Sequence, residues 1–281
     1  MKLLRYGPVG EERPGIVDSQ GRIHSLWPAV RDLTPEVISP EGLKVLAAIE
    51  PDRLPLVEGT PRIGVPVAGI RQFFAIGLNY KGHIAEAGLP QPVEPMLFNK
   101  ALTSLCGPDD DIVLPKGSTA TDWEVELGVV IGREAGNVSE VDALSYVAGY
   151  CAANDISERD WQMKRGGQFV KGKSAPTFGP LGPWLVTTDE IPDPQTIELS
   201  LDVSDVRRQH GNTADMVFNV RQIVSHLSQV LTLLPGDVIV TGTPAGVGGG
   251  MKPPMYLKPG DVVTIASPQL GRQRQTVRLA D

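Results

Sequence analysis

Cysteine is nearly absent from this 281-residue chain: Cys106 and Cys151 stand alone, in no CxxC pattern and at no spacing suited to zinc. That excludes a disulfide-rich scaffold and a thiolate zinc site, and makes a reduced, cytoplasmic protein the expectation. Basic runs are missing as well. The formal net charge is −7 and no Lys/Arg stripe occurs, so nucleic acid is not an expected partner. No apolar stretch is long enough to span a bilayer, and the opening MKLLRYGPVG has no apolar core of the signal-peptide kind, so no membrane partner is expected either. Aromatic residues make up only 5% of the chain, against 31 Gly and 25 Pro, a balance that predicts many turns and many short strands.

The pattern along the chain divides it in two. Residues 1–66 form a small N-terminal α/β unit: a strand at Lys2–Tyr6, a hairpin over Pro14–Leu26 around Asp18-Ser-Gln-Gly21, and helical spacing in Leu43, Val45, Leu46 and Ile49. A turn-rich stretch, Glu58 to Pro66, links it to the remainder, residues 67–281. That remainder is strand-dominated. Phe73–Gly77 is a short apolar strand, Ile197–Val206 alternates as a strand with a hairpin near His210-Gly-Asn-Thr213, and Ala143–Ala153 is apolar without a decisive period. Val220–Leu234 carries the clearest helical stripe, with Asn219 as its N-cap. His226 lies beside that stripe and reads as structural. Two Pro-Gly-Asp-Val turns, at Pro235 and Pro259, each feed an apolar strand, and the last strands pair around Leu270-Gly-Arg272. The expected class is a β-rich α+β protein closed into a sandwich, roll or barrel.

Within that frame one segment stands out, Asp122-Trp-Glu-Val-Glu-Leu-Gly-Val-Val-Ile-Gly132. On a strand alternate residues share a face, so Asp122, Glu124 and Glu126 are expected to point one way and Trp123, Val125 and Leu127 the other. Carboxylates crowded at the mouth of an apolar core repel one another unless a cation lies between them. Asp155 ends a further apolar segment and can supply a third oxygen. Alone it reads equally as a helix cap, with Glu158 at capping-box spacing. Three oxygen ligands with no His or Cys nearby favour Mg²⁺ or Mn²⁺ over zinc.

Two nucleotide-loop matches fail on context. Gly167-Gln-Phe-Val-Lys-Gly-Lys-Ser174 fits GxxxxGK[ST], but no buried strand precedes it and Pro176 and Pro180 follow, where a phosphate loop needs a helix. Gly246-Val-Gly-Gly-Gly250 is followed by Pro253 and Pro254, which bar the helix of a dinucleotide fold.

His83 and Glu86 are three residues apart, neighbours on a helical turn, and a carboxylate beside an imidazole suits a general base for water. The Gly/Pro-rich stretch from Ala87 to Pro95 looks like a mobile cover. Lys173 can stabilise a developing oxyanion. The backbone of Thr241-Gly-Thr-Pro-Ala-Gly246 and the Thr243 hydroxyl can hold a substrate carboxylate. Arg159 and Gln162, near Asp155, are candidate substrate contacts.

Taken in order, Ile76-Gly-Leu-Asn-Tyr-Lys-Gly-His83 with Glu86, Pro95-Met-Leu-Phe-Asn-Lys100, Asp122-Trp-Glu-Val-Glu-Leu127, Asn154-Asp155 with Ser157, Arg159, Asp160 and Gln162, Gly172-Lys-Ser174, and Gly242-Thr-Pro-Ala-Gly-Val-Gly248 resemble the fumarylacetoacetate hydrolase family, from about Phe73 to the C-terminus. Residues Lys2 through Leu26 resemble the small N-terminal domain of its shorter bacterial members. The resemblance implies a mixed β-roll catalytic domain and a homodimer. It implies Mg²⁺ or Mn²⁺ on Glu124, Glu126 and Asp155, a water-activating His83–Glu86 pair on a lid, Lys173 near the metal, and Lys100 with Arg159, Gln162 and Thr243 toward the substrate. A His followed three residues later by Glu is similar to the short members, such as acylpyruvate hydrolases and oxaloacetate decarboxylases.

The expected chemistry is cleavage of the C3–C4 bond of a 2,4-dioxo acid to pyruvate and a carboxylic acid, with a 2-oxo or dioxo acid as the small-molecule partner. The general shape resembles members that cleave 2,4-dioxo-3-deoxy sugar acids. Alternatives are decarboxylation of an oxaloacetate-like acid, double-bond migration in a 2-hydroxy-dienedioate, ureidoglycolate lyase activity, and a non-catalytic carboxylate-binding module.

Overall fold

The computed structural model describes residues Met1–Ala280. Its centre is the Val125–Ile131 strand, buried along its whole length. It has apolar neighbours on both faces. Val125, Leu127, Val129 and Ile131 pack into a core that also holds Leu199, Leu201, Val263 and Ile265. Val130, on the opposite face, joins a second core with Leu3, Ile16, Leu26 and Leu46. A strand covered on both sides reads as a nearly unbroken apolar run, which is why Leu127-Gly-Val-Val-Ile131 shows no alternation.

That strand belongs to a mixed ten-stranded sheet. Its main path is Ile23–Ser25, Arg13–Val17, Lys2–Tyr6, Gly179–Thr187, Val147–Asn154, Val125–Ile131, Val238–Val240, Phe73–Gly77 and Met96–Asn99. Leu105–Cys106 pairs with Gly179–Thr187 off that path. A five-stranded sheet, Val206–Asn212, Glu198–Val203, Val262–Ser267, Gly271–Leu279 and Ile112–Leu114, supplies the other wall of the first core. The architecture is the expected β-rich α+β roll.

The N-terminal elements occur as their pattern predicts, with a helix at Pro40–Ala47 capped by the Ser39 side chain. They are joined to the rest by backbone pairing, not by packing alone: Lys2 pairs with Val186 and Leu3 with Leu185 in an antiparallel ladder. The leading strands therefore extend the large sheet.

Three local expectations shift. The Val220–Val230 helix ends before Leu234, because Leu231 turns extended and Leu233 bridges to Ala135; its Asn219 cap is a full capping box with Gln222. The ambiguous apolar stretch splits into a short 3₁₀ turn, Ala143–Tyr146, and the strand Val147–Asn154. The hairpin near His210 turns instead at Ser204 and Asp205, which take φ of 49° and 63°. Two successive left-handed residues match the twist of the flanking strands, so His210-Gly-Asn212 completes a strand.

Candidate active site and metal centre

The strand carrying the acids is interrupted where they begin. Thr121–Asp122 pairs with Ser157–Glu158, the chain then breaks pairing at Trp123 and Glu124, and the long strand starts at Val125. Asp122 is consequently turned away from the other two acids, contrary to a simple alternation. In its place Asp155 arrives from the end of the neighbouring Val147–Asn154 strand, its amide donating to the Glu124 carbonyl at 2.9 Å. Oxygen atoms of Glu124, Glu126 and Asp155 lie within 4.8 Å of one another, and all three side chains are buried.

Two lysines face this group. Lys173 Nζ donates to Glu124 Oε2 at 2.7 Å and to Asp155 Oδ2 at 2.6 Å. Lys100 Nζ donates to Asp155 Oδ1 at 2.5 Å and to the Lys173 carbonyl. Arg159 Nη1 lies 2.7 Å from Glu124 Oε1. Glu126 receives only the Gly242 amide, at 2.6 Å, and no ion pair.

The charge balance follows these contacts. Burial opposes ionisation of Glu124, but the Lys173 and Arg159 cations outweigh it and hold its carboxyl well below the usual range. Burial pushes Glu126 well above that range, and the charges of Asp155 and Glu124 push the same way. Burial lowers Lys173, yet Asp155 and Glu124 more than compensate and its ammonium titrates above its ordinary value. At Lys100 burial prevails, and its ammonium is held below its ordinary value despite Asp155. Glu126 is thus a buried carboxyl with two acids beside it and no cation of its own. A divalent ion fits this donor set: three converging carboxyl groups, no nitrogen or sulfur ligand, and one of the three, Glu126, with no cation paired to it.

Across the cavity lies the Lys81–Ala87 helix. His83 Nδ1 is 3.3 Å from Glu86 Oε2, and Glu86 accepts the Gly246 amide at 3.0 and 3.2 Å. With Nδ1–H donating to Glu86, Nε2 carries the lone pair a general base needs. The cavity measures about 600 Å³, and His83, Glu86, Glu124, Glu126, Asp155, Arg159, Gln162, Lys173 and Thr243 all line it. Phe98 and Phe169, edge to face at 5.4 Å between ring centroids, give it an apolar side together with Leu89 and Met163.

Lys100 does not line the cavity. Its side chain is fully buried behind Asp155, with its donors engaged by Asp155, Ile156 and Lys173. The expectation of a substrate contact is corrected: Lys100 holds an acid in place. Thr243 does reach the cavity, but its hydroxyl donates to the Val125 carbonyl and accepts from Gln209. The Gly242 amide is engaged by Glu126. Arg159 donates from Nε to Asp122 and from Nη1 to Gln162, while its buried Nη2 has no partner. The rejected nucleotide loops are a single helical turn, Val170–Lys173, and a 3₁₀ turn, Gly248–Gly250. Asp155 is not a helix cap; Glu158 caps the Arg159–Lys164 helix instead. Among the described residues no helix is long and apolar enough to cross a membrane.

A Burkholderia multivorans protein, provisionally named a hydrolase, is 57% identical over 281 residues, covering all of both chains. Among solved structures, a fumarylacetoacetate hydrolase from Exiguobacterium antarcticum superposes with a TM-score of 0.86 at 34% identity, and a protein described as a probable 2-hydroxyhepta-2,4-diene-1,7-dioate isomerase from Mycobacterium abscessus does so with the same two values. A maleylpyruvate hydrolase from a Sphingobium species, solved with manganese(II) and pyruvate, gives 0.82 at 28%. Each of these three covers the whole of both chains. Residues 72–278 match the C-terminal model of fumarylacetoacetate hydrolase, and the chain belongs to the fumarylacetoacetate hydrolase family.

Proposed function

We propose that this protein is a divalent-metal-dependent hydrolase that cleaves the C3–C4 bond of a 2,4-dioxo acid, giving pyruvate and a carboxylic acid. The observation that carries this reading is the His83–Glu86 pair facing the three buried acids across one cavity. A divalent cation held by Glu124, Glu126 and Asp155 would draw off the negative charge that develops on the 2-oxo oxygen. The substrate carboxylate meets the unpartnered Nη2 of Arg159. Its acyl group lies toward Phe98, Phe169 and Met163. His83 Nε2 takes a proton from water as the water oxygen bonds to C4, and Glu86 stabilises the resulting imidazolium. The C3–C4 bond then breaks toward C3, which takes up the proton. Lys173, kept protonated by its acid neighbours, adds positive charge beside the developing oxyanion.

The manganese- and pyruvate-bound maleylpyruvate hydrolase favours this choice. Similarity to the M. abscessus protein favours a second reading, in which the same groups shift a double bond in a hydroxy-dienedioate without using water. Product analysis on a panel of 2,4-dioxo acids, oxaloacetate and a hydroxy-dienedioate separates the two. Pyruvate release from a 2,4-dioxo acid is expected, with turnover falling by about 10²–10⁴-fold in His83→Ala. Double-bond migration without pyruvate, or turnover indifferent to His83, would sink the hydrolase reading.

A further inference from the structure

The glycine run Gly246–Gly250, which forms a 3₁₀ turn at Gly248–Gly250, lies between the two halves of the site. At one end the Gly246 amide donates to Glu86. A Cβ on Gly250 would come within 2.5 Å of the Glu86 side chain, so Glu86 rests directly on the run. At the other end the Gly248 and Gly249 amides donate to Asp122, at 2.7 Å to Oδ1 and 2.9 Å to Oδ2. Asp122 is fully buried, and its Oδ2 also accepts Arg159 Nε at 2.8 Å. One carboxylate thus grips both the loop that seats Glu86 and the arginine whose buried Nη2 has no partner.

We propose that Asp122 is a positioning residue: through Gly248 and Gly249 it sets the His83–Glu86 pair, and through Nε it aims Arg159 Nη2 into the cavity. This rests on the hydrolase reading for the roles of His83 and Arg159. Three features distinguish the arrangement from ordinary loop anchoring. Asp122 is not one of the three converging acids. It draws on two consecutive backbone amides, a donor pair only a tight turn presents. And Arg159 is shared between Asp122 and Glu124, so the pull of Asp122 on Nε fixes the guanidinium plane and leaves Nη2 clear of Glu124. Glycine at 248 is required by close approach, since a Cβ there would lie 2.0 Å from the Met255 carbonyl.

Asp122→Asn tests this. One amide nitrogen must then face either Arg159 or a backbone N–H, so one grip is lost while volume is kept. The expected result is a fall in kcat of about 10–100-fold and a rise in KM, with Mn²⁺ affinity by calorimetry changed by less than about threefold. In a Glu86→Gln background the kcat effect of Asp122→Asn shrinks while its KM effect persists, because the two residues act through one loop. Additive kcat losses, unchanged kinetics, or a loss explained wholly by weaker Mn²⁺ binding would overturn the proposal. Should Asp122→Asn not fold, Gly250→Ala displaces Glu86 and leaves Asp122 and Arg159 in place. It is expected to lower kcat with KM kept, and an unaffected kcat overturns the proposal. Amide exchange does not depend on the reaction. Faster exchange at Gly246 as well as at Gly248 and Gly249 in Asp122→Asn supports the latch even if a different reaction is found, and unchanged exchange at Gly246 overturns it.

Discussion

Among the described residues two clusters bring three acid or imidazole ligands together: Glu124, Glu126 and Asp155 in the cavity, and Asp18 and His24 of the N-terminal hairpin with Asp52. They differ in what their lone pairs already do. Asp18 accepts from the amides of Gln20 and Arg22, from Arg22 Nε, and faces His24 Nε2 at 3.0 Å. Burial opposes its ionisation, but the Arg22 amide, His24 and the Arg22 side chain prevail and hold the carboxyl below its ordinary range. Asp52 is exposed and paired with Arg22. Glu126, by contrast, has one amide donor and two like charges, and its carboxyl is raised. Converging ligands are therefore not enough to mark a cation site. A buried carboxyl without a cation partner, Glu126, is what separates the cavity cluster from the hairpin cluster.

The comparison breaks most visibly at Glu126. Glu126→Gln is expected to weaken Mn²⁺ binding by more than about 100-fold, beyond the usual cost of losing an outer-shell partner, and to reduce turnover to background. In the metal-free protein the same change should raise stability at neutral pH. A group whose folded-state pKa lies above its unfolded value costs stability once pH exceeds the unfolded value, and the neutral amide removes that cost. Denaturant melts with and without chelator measure both signs.

Next comes Lys100. Lys100→Met leaves the Asp155 carboxylate buried with one cation fewer and should destabilise the metal-free protein by about 3–5 kcal/mol, less when metal is added. A substrate-contact role would instead leave stability unchanged and raise KM. Asp18→Asn should lower stability modestly and leave Mn²⁺ affinity untouched. Its folded pKa is depressed, so its contribution is present above the unfolded carboxyl value, near pH ~3.9, and is lost as pH falls toward the folded value. The gap between Asp18→Asn and the parent protein should accordingly close on acidification. At the bottom of the scale, Glu50→Gln removes an exposed pair with Arg53 and should change stability by less than about 0.5 kcal/mol.

How far the sequence reaches depends on the distance over which each feature is decided. Asn219 and Gln222 cap their helix within three residues, and that box is visible in the chain. Short motifs also carry His83, Glu86, Arg159, Gln162 and the three acids into one cavity. What stayed hidden is decided by tertiary contacts. Lys100 looks like any motif lysine until the carbonyl of Lys173 and the carboxylate of Asp155 close around it. Asp122 shares spacing with Glu124 and Glu126, and only the break in pairing at Trp123 turns it toward Arg159 and a glycine loop 126 residues away. Ser204 and Asp205 give no strong turn signal beside His210-Gly-Asn, yet the register with Val262–Ser267 places the bend there.

Crystals grown with Mn²⁺ and measured near the manganese edge test the central claim most directly. The account predicts one anomalous peak per chain, among the carboxylates of Glu124, Glu126 and Asp155, and none at Asp18, His24 and Asp52. A peak on the N-terminal hairpin alone, or no peak at the three buried acids under saturating Mn²⁺, would contradict it.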